Sequence, residues 1–174
     1  SNIAEYLDEV FSDPPLKPGE PVLQAQMREW MKEEEEFLFR LMVTLSFNTM
    51  MKMRAAAYGM DQLWEWSLQH PDQARAQDYL DRMSSPADLA AAEQKLRWHM
   101  ERLDNQLRKS GGPWVCGGVF SPAYICLVGI VDRIEYLDRK RVFGGLETLT
   151  EWVATLKKRA SYVSAAPALA DRMW

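Results

Sequence analysis

Residues 113–138 read PWVCGGVFSPAYICLVGIVDRIEYLD, and the folding of this stretch decides the architecture. Gly117-Gly118 break the chain. Ser121 then takes the N-cap position and Pro122 the first helical position, where a missing N–H costs nothing. Phe120 precedes the cap and Ile125 is the fourth helical residue, so the two can close a hydrophobic staple that sets how the chain joins the helix. Ile125, Leu127, Val128, Ile130 and Val131 crowd apolar groups all round the first turns. Such a helix belongs in the centre of a core. Asp132, Arg133 and Glu135 come only later, where it emerges.

Outward from this segment the pattern stays helical. Runs of β-branched residues with period-two alternation do not occur, whereas Ala, Leu, Met, Glu, Gln and Arg recur at helical spacing. Ile3, Tyr6, Leu7 and Val10 predict a short amphipathic helix that needs a surface to lie against. SDPPLKPGEP follows as a stiff, proline-rich connector. From Pro21 to about Ala57 the spacing predicts one long helical segment with Met27, Trp30, Met31, Leu38, Leu41, Met42, Leu45 and Thr49 on a mostly apolar face. Glu33 to Glu36 lie within it, fanned about 100° apart per residue, so most should face solvent or a partner's basic groups rather than form an acid/base or metal site.

Further helices are expected at Asp61–Gln69, within Pro71–Met83 and from Ser85, where Ser85, Pro86 and Asp88 make a capping-box-like start. There Leu89, Leu96, Met100, Leu103 and Leu107 form a stripe that ends at Gly111-Gly112. Two more are expected at Ser121–Leu137 and Leu146–Lys158, with a last turn or two over Ala168–Met173. The predicted class is all-α, a bundle of long, roughly antiparallel helices.

Composition narrows the function. At 174 residues, 47% hydrophobic and 26% charged, the chain can build one ordinary core. A net charge of −4 supplies no basic field for nucleic acid or anionic membrane. No apolar run reaches bilayer-spanning length, and no signal peptide is expected. Arg139, Lys140 and Arg141 read as a solvated helix end. Cys116 and Cys126, the only cysteines, match no zinc or redox spacing and suit buried thiols in a reducing cytoplasm. His70 and His99 lack evident partners in sequence, so no metal is expected.

Trp114 to Arg133 resembles the buried-helix signature of the glutathione transferase superfamily, Phe-Ser/Thr-x-x-Asp-Ile with an Asp-Arg pair some seven residues on. Tyr124 stands where that family has its capping Asp. Losing one cap interaction costs about 0.5–2 kcal/mol, tolerable if the staple remains. PLKPGEPVLQAQMREWMK is similar to the family's interdomain linker and first long helix, with Pro18, Pro21, Ala25, Arg28 and Trp30 in matching places. IAEYLDEVF (3–11), the linker and an enlarged region at 58–90 look most like bacterial aromatic-ether-cleaving and dehalogenating members.

The resemblance implies three parts: residues 1–11 as the last helix of a thioredoxin-like domain, 12–21 as the proline-rich linker, and 22–174 as the all-helical C-terminal domain. The family's glutathione-anchoring Glu-Ser and its thiol-activating residue would lie before Ser1, so glutathione is implied as co-substrate with no binding residue to assign. No catalytic residue is expected in this half, which would supply a pocket for a small apolar electrophile. Phe47, Met50, Met51, Met53 and Trp174 are the candidates, with core packing the competing role for each. Phe120, Ser121 and Ile125 are expected to be structural. A homodimer through the first two long helices and a cytoplasmic location are also implied. The alternative is a stand-alone glutathione-transferase-like domain that acts by binding proteins.

Overall fold

The computed structural model describes residues 2–11, 13–83 and 86–165, and they fold as an all-α bundle. In chain order the helices are α1 (Asn2–Val10), α2 (Pro21–Glu33), α3 (Phe39–Tyr58), α4 (Met60–Gln69), α5 (Gln73–Met83), α6 (Pro86–Ser110), α7 (Pro122–Tyr136), α8 (Glu147–Lys157) and α9 (Ala160–Ala165). Among the described residues no strand forms, and no helix is long and apolar enough to cross a membrane. The expected cap at Ser85 and the segment holding Trp174 lie outside the described residues.

The predicted long first helix is continuous but not uniform. A π turn over Glu34–Leu38 joins α2 to α3, and the Phe39 N–H reaches back to the Glu34 carbonyl. One wider turn rotates every later side chain relative to α2. The four glutamates diverge around the axis: Glu33 is buried, Glu34 half-buried, and Glu35 and Glu36 exposed. Glu33 meets α6, where His99 donates from Nδ1 to Glu33 Oε1 at 2.5 Å and Arg102 pairs with the same oxygen. The partner His99 lacked in sequence is therefore the first of these four glutamates.

The main core joins α2, α3, α6, α7 and α8. The α6 stripe supplies Leu96, Met100, Leu103 and Leu107, and α7 supplies Tyr124, Leu127, Ile130, Val131 and Ile134, all buried. A smaller cluster of Met51, Leu63, Tyr79 and Leu80 ties α3 to α4 and α5. Asp104 on α6, itself buried, accepts the Leu149 N–H at 2.8 Å and so caps α8 from a neighbouring helix. The basic run is not merely solvated: Arg139 and Arg141 both grip Glu93 of α6.

Between α6 and α7 the chain turns through Gly111, at φ +67°, and Gly112, whose missing side chain lets the backbone of Gly117 and Gly118 lie against it. Ser121 occupies the N-cap position of α7 in extended conformation, yet its side chain makes no capping hydrogen bond. Its hydroxyl donates to Cys116 Sγ at 3.7 Å instead. Tyr124, far from being a lost cap, is a hub. Its hydroxyl accepts from the Val115 N–H and from Trp152 Nε1, each at 2.9 Å, and donates to the Pro113 carbonyl at 3.5 Å. One phenol thereby ties the 113–120 loop, α7 and α8 together.

Helix α1 is held by its polar side. Asp8 accepts the N–H groups of Leu16 and Lys17 at 2.6 and 2.8 Å, and Glu5 pairs with Arg28 of α2 at 2.8 Å. Ile3, Tyr6, Leu7, Val10 and Phe11 stay exposed, Ile3 at 76% and Phe11 at 71%. The apolar face that needed a surface finds none among the described residues.

Candidate functional site

Helix α7 is apolar all round at its start, but its outer face carries Gly129 in the middle of the helix. Glycine there costs roughly 1 kcal/mol relative to alanine. A Cβ built at Gly129 meets nothing within 4 Å, so no packing contact demands the glycine. What its small size preserves is open space, for Gly129 lines two grooves, one on either side of α7.

The first groove, about 420 Å³, runs between α3, α5 and α7. Its α3 wall carries Phe39, Met42, Val43, Ser46, Phe47 and Met50, with Arg75 and Tyr79 from α5 and Cys126, Ile130 and Arg133 from α7. Tyr79 is stacked on Phe47 with ring centroids 3.7 Å apart and planes 8° from parallel. That pair gives the groove a rigid aromatic end, while the methionines give it a pliable wall.

Electrostatics say what the groove cannot do alone. Burial pushes the Cys126 thiol above its ordinary value, and the charge of Glu34 adds to the effect. Glu34 is itself raised, by burial first and then by Glu35 beside it. A thiol with a raised pKa carries little thiolate, so Cys126 is no activated nucleophile. Cys116 is likewise raised by burial, partly offset by the Ser121 hydroxyl. Among the described residues no group of His, Cys, Asp and Glu comes together that could hold a metal ion. The groove offers shape and apolar contact.

The second groove, about 520 Å³, lies between α7, α8, α9 and Leu16 of the connector. Phe120 and Ile125 both line it, Ile125 being 52% exposed. Phe120 packs on Trp114 and Tyr124, and the Arg159 guanidinium carbon lies 3.9 Å from the Phe120 ring centroid.

Of the residues singled out in sequence, Phe47 and Met50 come together in the first groove. Met51 faces the small core cluster with Leu63 and Tyr79, Met53 is 66% exposed, and Trp174 lies outside the described residues. Sequence reading passed over Gly129, Tyr79 and Arg75. Gly129 carried a signal, as an isolated glycine inside an otherwise apolar helix. Tyr79 and Arg75 carried none, because their place depends on how α5 docks on α3.

No family model matches the sequence, and no curated protein matches it. A solved structure does: the crystal structure of beta-etherase LigF from Sphingobium sp. strain SYK-6 superposes with a TM-score of 0.74 at 20% identity, covering 92% of this chain and 69% of that one. The chain shares the fold of the part of that structure it covers. In this fold α7 is the central helix, as the apolar turns after Pro122 lead one to expect.

Proposed function

We propose that this chain forms the substrate-selecting half of a glutathione-dependent enzyme that acts on an aromatic or otherwise apolar electrophile. The observation that carries the reading is the groove floored by Gly129 and walled by Phe47 and Met50, an open apolar site kept clear by a residue with no packing role. The likeness to a beta-etherase in fold supports it. The chemistry would be attack by the glutathione thiolate on carbon, forming a C–S bond while the C–O or other leaving-group bond breaks and its electron pair departs with the leaving group. Glutathione and the group that activates its thiol would be held by a thioredoxin-like unit, for which the uncovered apolar side of α1 is a fitting surface. A homodimer through α2–α3 and α6 belongs to the same reading, with exposed Phe37 and Trp98 on that face.

Calorimetric titration of the chain with an α-aryloxy ketone tests the site. Gly129→Leu should bind the ketone at least about tenfold more weakly, a loss of some 1.4 kcal/mol. Its fold should not suffer, since leucine is the better helix former and the Cβ clashes with nothing. Unchanged affinity in Gly129→Leu would show that the groove is not where such a ligand goes.

A further inference from the structure

The groove contains a cation that an apolar substrate would not use. Arg75 sits in the first turn of α5, where its backbone N–H bonds Asp72 Oδ1 at 2.9 Å. Its Nε donates to the Tyr79 hydroxyl, and its guanidinium carbon lies 5.6 Å from the Tyr79 ring centroid. Because Tyr79 is stacked on Phe47, the guanidinium is pinned at the aromatic end of the groove. Arg28, Arg97, Arg102, Arg108, Arg139 and Arg141 each pair with a carboxylate. Arg75 has no carboxylate partner among the described residues. Its two terminal nitrogens keep the planar fork that matches a carboxylate.

Arg133 lines the same groove from α7. The acid in the lining, Glu34, belongs to the far end. It lies close enough to Cys126 to raise that thiol, and the helical rise puts it roughly 20 Å along α3 from Phe47. Within the lining, the Arg75 guanidinium therefore marks the aromatic end and the Glu34 carboxylate the distant one.

We propose that the substrate of this groove bears an anionic group, a carboxylate, on its aromatic body. The ring packs against Phe47 and Met50, and the carboxylate sits on the fork of Arg75. The inference rests on the reading of the groove as the apolar-substrate site. It narrows the substrate class from apolar electrophiles to aromatic acids.

Two probes of the same shape separate charge from apolar contact: 2-naphthoate and 2-naphthamide, titrated calorimetrically into the full chain. Naphthoate should bind about tenfold tighter, the lower end for a charge-assisted bond at a partly exposed site, and the preference should shrink as salt rises. Arg75→Gln should abolish the preference, whereas Arg75→Lys should keep part of it. Equal affinities in the unaltered chain, or a preference that survives Arg75→Gln, would overturn the proposal. Gly129→Leu tells the two readings apart. If it weakens both probes while Arg75→Gln leaves the preference intact, the groove stands and the anion site falls. If neither probe binds, or Gly129→Leu weakens neither, both fall.

Discussion

Removing one oxygen tests the hub on which the α6–α7 loop depends. In Tyr124→Phe the ring still fills its buried site among Trp114, Phe120 and Trp152, so packing is conserved. What changes is that the Val115 N–H and the Trp152 Nε1–H, each 2.9 Å from the hydroxyl, lose their acceptor in a buried setting. An unsatisfied buried donor costs about 1–3 kcal/mol, so two should cost about 2–4 kcal/mol after local relaxation. Urea unfolding followed by tryptophan fluorescence, extrapolated linearly to water, reads this directly. The loss should be shared: Trp152→Phe removes one of the orphaned donors, and the double variant should be more stable than the sum of the singles by about 1 kcal/mol. The buried phenol also sets a pH dependence. Burial raises the Tyr124 phenol above its unfolded value of about 10, so the folded chain holds the proton longer. The contribution is complete below that value and is lost as pH rises above it toward the folded one. Unaltered protein should lose stability above pH ~10 more steeply than Tyr124→Phe, whose remaining tyrosines are the same. A cost below about 0.5 kcal/mol, the range of surface substitutions, would refute the hub.

Three further outcomes follow from single contacts. Glu33→Ala should destabilise by about 3 kcal/mol, because it leaves buried His99 and partly buried Arg102 without their shared carboxylate; the same unfolding assay reads it, and a change under 1 kcal/mol counts against the pairing. Asp8→Ala should cost about 1–3 kcal/mol or, if α1 detaches on its own, appear as loss of hydrogen-exchange protection confined to α1 and the connector, since the Leu16 and Lys17 N–H groups have no other acceptor among the described residues. Gly112→Ala should cost about 3 kcal/mol or more, because its Cβ would lie 2.4 Å from the Gly117 carbonyl oxygen, which is backbone and cannot swing aside; a near-neutral melting temperature would show that the loop has room.

Much of the fold is legible from local pattern. The stripe Leu96, Met100, Leu103 and Leu107 repeats at helical spacing and is buried as that spacing requires. Pro122 and the apolar turns after it read as a central helix and form one. The site is only half legible. Phe47 and Met50 could be picked from their types, but Met51 and Met53, on the same helix, point to the core and to water. Which of four neighbouring positions faces a groove depends on a rotation that the π turn at Glu34–Leu38 resets, and no periodicity marks that turn in advance.

By itself, then, the sequence marked the helices from α1 to α8, the lack of strands among the described residues, and the central place of residues 122–136, but not α9 (Ala160–Ala165). These follow from contacts between residues three or four apart and from the backbone limits of proline and glycine. Tertiary structure alone decided that Tyr124 replaces a cap with a hub, that Glu33 answers His99, that Asp104 caps a helix to which it does not belong, and that Arg75 ends up over Tyr79 at the rim of a groove. Of these pairs only Arg75 and Tyr79 are a helical turn apart, and even they reach the groove only because α5 docks on α3. Such partners are chosen by helix packing, which sequence spacing does not encode.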